Sequence, residues 1–148
     1  MRSMLKVAVL LGAMALLGCA SGRAFVAPEA PGGGAAAVYV YRATGVPGAG
    51  VTHELRVGGL PVGVMVNGGY MRVEVPAAEV AVTAPACLAS SSTSVRVAPG
   101  SVAYVQLKLI NKSVEFGGRH YFDYGCRLVQ RSAAEALAVL PGLRRATN

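Results

Sequence analysis

From residue 37 onward, apolar and polar residues alternate in short runs that are separated by turn residues. Residues 37–42 alternate β-branched and aromatic side chains, and residues 52–57 place Leu55 and Val57 on one face. Further runs of this kind lie at 60–66, 70–75, 79–84, 91–97, 102–110 and 121–130. Runs with a period of two and a turn at roughly every 8–12 residues are typical of all-β folds. We predict an antiparallel β-sandwich of about seven to eight short strands.

The turns and the end of the chain refine this prediction. Asn67-Gly68-Gly69 is the strongest hairpin signal, because Asn and Gly adopt positive φ at little energetic cost. Residues 132–135 have the S-x-x-E form of a helix capping box, and good helix formers follow until Pro141. A helix of about two turns is marginal alone. We therefore expect one short C-terminal helix that packs on the sheet or covers an edge.

The first 18 residues follow a different pattern. Arg2 and Lys6 precede eleven consecutive apolar or glycine residues, 7–17, and small residues flank Cys19. As a helix this run rises roughly 16 Å, about half of a hydrocarbon core, so it predicts a secretory signal peptide. Its end resembles the lipobox of bacterial lipoproteins, which implies cleavage before Cys19 and acylation there with chains such as palmitate. An uncleaved apolar helix and an ordinary signal peptide cut near Ala20 remain alternatives.

This pattern predicts three regions of the chain and a cellular location. Residues 1–18 form the lipoprotein signal peptide, 19–35 a Pro/Gly/Ala tether, and 36–148 a β-sandwich domain with a short C-terminal helix. A chain of this size can bury a single core. The Ala that follows Cys19, in place of Asp, resembles the signal for transfer to the outer membrane. We expect an envelope protein anchored by lipid, facing the periplasm.

Cysteine use follows from that compartment. With Cys19 acylated, Cys87 and Cys126 remain, and export to an oxidising space favours a disulfide between them. The alternative is that both are small buried hydrophobic residues on separate strands. The formal charge of +7 falls to +5 when Arg2 and Lys6 are removed. The remaining basic residues are scattered rather than clustered, so no nucleic-acid partner is predicted.

No catalytic or metal site is predicted. Residues 119–126 contain His120, Asp123 and Cys126, the residue types of a nucleophile with its base. On one strand, however, His120 and Cys126 would lie about 20 Å apart. His53 is the only other histidine and has few acidic neighbours in the sequence, so we expect no metal, no cofactor and no enzymatic activity.

Two tyrosines offer a weak binding hypothesis. Alternation puts Tyr39 and Tyr41 on the same face of the first strand. If that face is open to solvent, its rings could bind a small ligand, a glycan or a partner protein. The alternative is that the rings pack at the margin of the sandwich with their hydroxyl groups in water.

Four motifs together resemble a group of short bacterial lipoproteins whose domain has no assigned function. They cover roughly residues 36–130 and are similar to the PEGA-type and transthyretin-like β-sandwich modules of bacterial envelopes. Glu79 departs from the pattern of that group, and Cys87 and Cys126 lie outside it. The motifs are the opening strand 37–42, the run 55–67, the turn 67–70 with strand 73–77, and the strand 97–105.

The resemblance implies a β-sandwich in the cell envelope but no activity. We therefore expect a lipid-anchored module that binds or scaffolds without chemistry, with the membrane reached through Cys19 and an envelope protein or glycan as partner. The alternative is a β-sandwich that binds a small ligand or glycan on the face of Tyr39 and Tyr41. An enzyme that uses His120, Asp123 or Cys126 is the third possibility.

Overall fold

The computed structural model describes residues 20–87 and 91–147 of the 148-residue chain. The predicted signal peptide and Cys19 lie outside these ranges. Within them the backbone forms nine strands, one α-helix and one short 3-10 helix. The elements are β1 (Ala36–Tyr41), β2 (His53–Val57), β3 (Leu60–Met65), β4 (Gly69–Val75), β5 (Glu79–Ala84), β6 (Ser91–Arg96), β7 (Val102–Phe116), β8 (Arg119–Arg131), α1 (Ala133–Leu137), the 3-10 helix Leu140–Gly142 and β9 (Arg144–Arg145).

The strands form two sheets, and the predicted all-β sandwich with one short C-terminal helix is confirmed. One sheet has five strands in the order β8-β7-β1-β4-β9, and the other has four in the order β3-β2-β5-β6. The pairs β1–β7 and β4–β9 are parallel, whereas the other pairs are antiparallel. The parallel pairs differ from a purely antiparallel prediction. The β1–β7 pair arises because the chain completes the whole second sheet before β7 returns beside β1, and the β4–β9 pair forms after the C-terminal helices.

The main core lies between the two sheets. Val38 and Val40 of β1 pack there with residues of the second sheet, and the side chains alternate with outward-facing ones as the sequence predicts. Burying each such side chain stabilises the fold by about 1.5–3 kcal/mol. The fully buried members from the other strands include Leu55, Met65, Val82, Val95 and Val105.

A second apolar cluster covers the outer face of the five-stranded sheet. Every residue of β1 is buried, which requires cover on both faces. The cover comes from both ends of the chain, with Phe25 on one side and Leu140 on the other. Ser132 begins α1 with the predicted capping box: the amide of Glu135 donates to the Ser132 hydroxyl, and the amide of Ser132 donates to the Glu135 carboxylate.

Part of the segment predicted as a tether lies on the domain. The amide of Gly22 donates to the carbonyl of Arg145 over 3.1 Å, and the amide of Phe25 donates to the carbonyl of Leu143 over 3.0 Å. Phe25 is buried against the tyrosines of the outer face. The Pro/Gly-rich composition hides this contact because one aromatic residue in an aperiodic stretch produces no pattern.

Candidate functional site

Tyr39 and Tyr41 do not form a solvent-exposed face. Both rings are buried under the cover described above. Tyr39 stacks against Tyr70 and Tyr104, with ring centroids 6.2 Å and 5.8 Å away, and the Tyr39 hydroxyl accepts a hydrogen bond from the amide of Glu29 over 2.9 Å. Burial raises the pKa of Tyr41. These tyrosines therefore stabilise the outer layer, and only the Tyr39 end borders a surface cavity.

That cavity has a volume of about 360 Å³ and lies between the N-terminal segment and the sheet. Its rim is charged, because Arg72 contacts Glu74 over 2.8 Å and Arg23 forms an ion pair with Glu29. The contact with Arg72 lowers the pKa of Glu74. The cavity borders the Tyr39 end of the predicted tyrosine face, and its volume is enough for a small ligand. It is lined by residues that include Phe25, Pro28, Tyr39, Tyr70 and Arg145.

The predicted lipid attachment residue, Cys19, lies outside the described residues, but its neighbour has a defined place. The amide of Ala20 donates to the carbonyl of Asn67 over 3.2 Å, at the turn between β3 and β4. In residues 20–87 and 91–147, no helix has the length and apolar character needed to cross a membrane. Ala20 therefore lies at the β3–β4 turn.

The largest feature that sequence reasoning missed is a long hairpin formed by β7 and β8. Strand β1 pairs with β7 only as far as Tyr41 opposite Gln106, whereas β7 and β8 stay paired up to Phe116 opposite Arg119. We call residues 110–125 the hairpin arm and the pair Leu109–Cys126 its root. Beyond the root the arm extends by seven residues per strand, or roughly 23 Å. Gly117 and Gly118, both at positive φ, form the turn at its tip.

The two faces of the arm differ in character. Phe116 lies opposite Arg119, and Tyr121 is two residues further along β8, so these three side chains share one face. The exposed fractions are 77% for Phe116 and 51% for Tyr121. The opposite face carries the exposed polar residues Asn111, Ser113, Glu115 and His120, with the half-buried Tyr124 nearer the root. The tip therefore presents two aromatic rings and a cation on one side.

The root of the arm is fastened to the rest of the domain. The sulfur atoms of Cys87 and Cys126 lie at disulfide-bonding distance, with their Cα atoms 5.3 Å apart. The amide of Leu128 donates to the hydroxyl of Ser91 over 2.8 Å, which ties β8 to β6 in the other sheet. The predicted pairing of the two cysteines is thus the pairing found here. It holds the arm at the end of the sandwich.

A loop also packs against the root, on the face that carries Leu109 and Cys126. Buried Arg42 donates to the carbonyl of Val51 and, over 2.6 Å, to the carbonyl of Gly48. Gly48 has φ of +70°, and a Cβ at that position would lie 2.7 Å from the Leu109 side chain and 3.3 Å from the Tyr124 ring. Glycine is therefore required here both by the backbone and by the close approach of the arm.

His53 lies beside the two cysteines, which sequence spacing gave no reason to expect. It begins β2, is 3% exposed, and one of its ring nitrogens lies within 4.8 Å of the two sulfur atoms. Among the described residues, neither ring nitrogen has a hydrogen-bond partner. An unsatisfied buried polar group costs about 1–3 kcal/mol of stability. Burial and, secondarily, the positive charge of Arg42 lower the pKa of His53, so the buried ring is neutral near pH 7.

The structure does not bring the predicted nucleophile and base together. His120 is exposed near the tip of the arm, opposite Glu115, whereas Cys126 is buried at the root, opposite Leu109. The side chain of Asp123 lies outside the described part of the structure. His120 and Cys126 therefore remain as far apart as their positions on one strand predict. The residue that does approach Cys126 is His53.

Comparison of the chain with known protein families, with curated proteins and with solved structures returns no match. The resemblance to short bacterial lipoproteins with PEGA-type or transthyretin-like modules stays a prediction, because no comparison bears on it. The residues themselves supply three features for a functional inference: the hairpin arm, the β3–β4 turn beside Ala20 and the buried cluster at the arm root.

Proposed function

We propose that this chain is a lipid-anchored envelope lipoprotein that binds a protein partner through the face of its hairpin arm formed by Phe116, Arg119 and Tyr121. It acts as an interaction or scaffolding module without catalysing a reaction. The observation that carries this proposal is the pair of exposed aromatic rings at the end of a projecting, fastened hairpin. Aromatic residues and arginine are the side chains enriched at protein interfaces and at their energetic centres.

The fastening of the root supports a binding role. An isolated two-stranded hairpin is marginally stable in water, so a projecting arm needs support to keep one shape. The disulfide to Cys87 and the packing of Gly48 against Leu109 supply that support at the root. An arm ordered before it binds loses less conformational entropy on association. A preorganised aromatic tip is thus well suited to a specific contact.

The position of the anchor supports a partner near the membrane. Strand β7 runs parallel to β1 and leaves the sheet at the Tyr41 end, where the β3–β4 turn also lies because Tyr41 is opposite Tyr70. Ala20 bonds to Asn67 at that turn. An acylated Cys19 and the arm would therefore leave the same end of the domain. The partner is accordingly an envelope protein at or near the membrane surface, with the outer membrane facing the periplasm as the predicted location.

Crosslinking in intact cells followed by affinity capture tests the proposal. The arm variant is Phe116→Ala combined with Tyr121→Ala, and the matched control is Leu60→Ala. Leu60 is an exposed apolar residue, 71% accessible, at the start of β3. It follows the end of β2, whereas the start of β2 faces the arm root. We expect the amount of crosslinked partner captured by the arm variant to be at least tenfold lower than that captured by wild type. The control should capture as much as wild type. Equal capture by the arm variant would refute a role for the arm.

A separate variant tests the anchor. Cys19→Ala removes the predicted acylation site, so the chain should leave the membrane fraction while its fold, followed by far-ultraviolet circular dichroism, stays unchanged. Retention of Cys19→Ala in the membrane fraction would refute lipid anchoring. The test of the arm does not depend on this outcome, because the arm variant keeps Cys19.

A second candidate function is binding of a small ligand or glycan, and the cavity beside Tyr39 is the observation that favours it. Soluble N-acetylglucosamine oligomers are a suitable probe, with binding followed by calorimetry on the wild type and on Arg72→Ala at the cavity rim. Saturable binding that Arg72→Ala weakens would support this function. Binding by neither protein would exclude these glycans as ligands of the cavity.

A further inference from the structure

The cluster at the arm root contains three side chains that can bind metal. His53 begins β2, Cys87 follows β5 by three residues, and Cys126 belongs to β8. Their ligand atoms lie within 4.8 Å of one another, and all three residues are buried. They come from one strand of each sheet and from the turn after β5, so the fold rather than any local motif brings them together.

The unsatisfied imidazole is an independent observation that points to a ligand. Both ring nitrogens of His53 are buried, and neither contacts a hydrogen-bond partner in the described part of the chain. Buried polar side chains nearly always have such a partner. The sulfur atoms of Cys87 and Cys126 lie within 4.8 Å of a ring nitrogen of His53. A metal ion bound to those sulfur atoms would also satisfy one nitrogen of the ring.

We propose that His53, Cys87 and Cys126 form a redox-gated site for a thiophilic metal ion of the Zn²⁺ class. With the disulfide closed, the sulfur atoms are bonded to each other and no metal binds. A dithiol reductant opens the site: the S–S bond breaks, two S–H bonds form, and the reductant is oxidised to its own disulfide. Metal binding then releases both thiol protons to solvent, and the two thiolates and one imidazole nitrogen become ligands.

The geometry and charge of the cluster fit this class of ion. Tetrahedral zinc with Zn–S of about 2.3 Å and Zn–N of about 2.0 Å places its ligand atoms roughly 3.5–3.8 Å apart. The present spread of 4.8 Å or less reaches that range with small side-chain movements once the sulfur atoms separate. Two thiolates neutralise a divalent ion, which matters because Arg42 already places a positive charge near His53. Thiolate and imidazole donors select zinc and copper over magnesium or calcium.

Metal titration of the full chain tests the proposal. All proteins carry Cys19→Ser, so that Cys87 and Cys126 are the only thiols. Zinc affinity is measured by competition with a chromogenic chelator, before and after reduction by a dithiol whose excess is then removed. Cobalt serves as a spectroscopic probe because Co²⁺–thiolate bonds absorb in the near ultraviolet. We expect one zinc per reduced chain, no stoichiometric binding by the oxidised chain, and no cobalt–thiolate band in Cys126→Ser.

The histidines provide the matched pair of variants. His53→Leu removes the nitrogen ligand and places an apolar side chain in the buried position. His120→Leu makes the same change at the exposed histidine on the arm. We expect His53→Leu to weaken zinc binding by at least tenfold and His120→Leu to leave it unchanged. Equal zinc affinity in reduced wild type and reduced His53→Leu would overturn the proposal.

Circular dichroism shows whether the reduced chain is still folded when its zinc binding is measured. Circular dichroism should show the same sheet content in the reduced chain with zinc as in the oxidised chain. Loss of the sheet signal on reduction that zinc fails to restore would overturn the proposal, as would the absence of zinc binding by the reduced chain. These outcomes are independent of the arm's partner, because they are measured on the isolated protein.

Discussion

Removal of the Cys87–Cys126 disulfide should lower the free energy of unfolding by about 4 kcal/mol. The two cysteines are separated by 39 positions, and the loop that they close contains β6, β7 and the hairpin arm. In the chain-entropy account, a cross-link over a loop of this length restricts the unfolded chain by that amount. Single domains have a total stability of about 5–15 kcal/mol, so the loss is a large share of the whole.

Urea unfolding followed by circular dichroism measures this effect. The double variant Cys87→Ala/Cys126→Ala is compared with its parent, both carrying Cys19→Ser so that no free thiol can exchange. The parent treated with a dithiol should fall to within about 1 kcal/mol of the double variant, because both lack the same cross-link. A loss below about 1 kcal/mol would refute the chain-entropy reasoning for this loop. A lower stability of the Cys19→Ser parent relative to wild type would show instead that Cys19 contributes to the fold.

Three further predictions concern the cover, the buried histidine and the helix cap. Phe25→Ala should lower the free energy of unfolding by about 3–5 kcal/mol, measured by urea titration, because it removes a buried ring from the outer cluster. Wild type should lose stability as the pH falls below about 6.5, because His53 is then protonated in the unfolded chain while burial lowers its pKa in the folded chain. In His53→Leu, the free energy of unfolding should depend less on pH over this range. Ser132→Ala should lower the melting temperature, in line with a loss of about 1 kcal/mol on removal of the cap.

Each of these has a result that contradicts it. A stability change below about 1 kcal/mol for Phe25→Ala would mean that the N-terminal segment does not pack on the sheet. An unchanged pH slope in His53→Leu, with the exposed His120→Leu as control, would show that another group controls acid stability. A Ser132→Ala variant as stable as wild type would show that the contact of Glu135 with Arg131, 3.2 Å long, holds the helix without the cap.

Alternation along the chain predicts the strands well wherever one face is buried and the other exposed. The predicted run 79–84 coincides with β5, and its burial alternates as expected. The same reasoning ends β7 too early, at 110, because residues 111–115 include the polar Asn111, Ser113 and Glu115. Those residues are held by pairing with β8 rather than by burial, so hydrophobic patterning contains no trace of them. Gly117-Gly118, a hairpin turn with Tyr121 beyond it, is the signal that could have revealed the arm.

The burial of Tyr39 and Tyr41 could not be predicted for a different reason. Parity along β1 establishes that the two rings share a face, but not whether another layer covers that face. The cover consists of Phe25 and Leu140, which lie at opposite ends of the chain and carry no mutual sequence pattern. His53 presents the same difficulty, because its proximity to Cys87 and Cys126 follows from the packing of two sheets. The disulfide was predictable only because the expected compartment restricts what two cysteines do.

The packing of the N-terminal segment changes the distance at which an anchored domain would lie from the membrane. A free tether of residues 19–35 would let the domain stand away from the membrane, whereas the bonds from Ala20, Gly22 and Phe25 hold the segment's start on the domain. If the proposed anchoring holds, the β3–β4 turn, which Ala20 contacts, would lie close to the bilayer surface. The arm leaves the same end and reaches roughly 23 Å beyond its root. Under the proposed anchoring, the tip would contact partners close to that membrane, and a linker inserted between Cys19 and Ala20 should reduce their capture because it lets the whole domain move away from the bilayer.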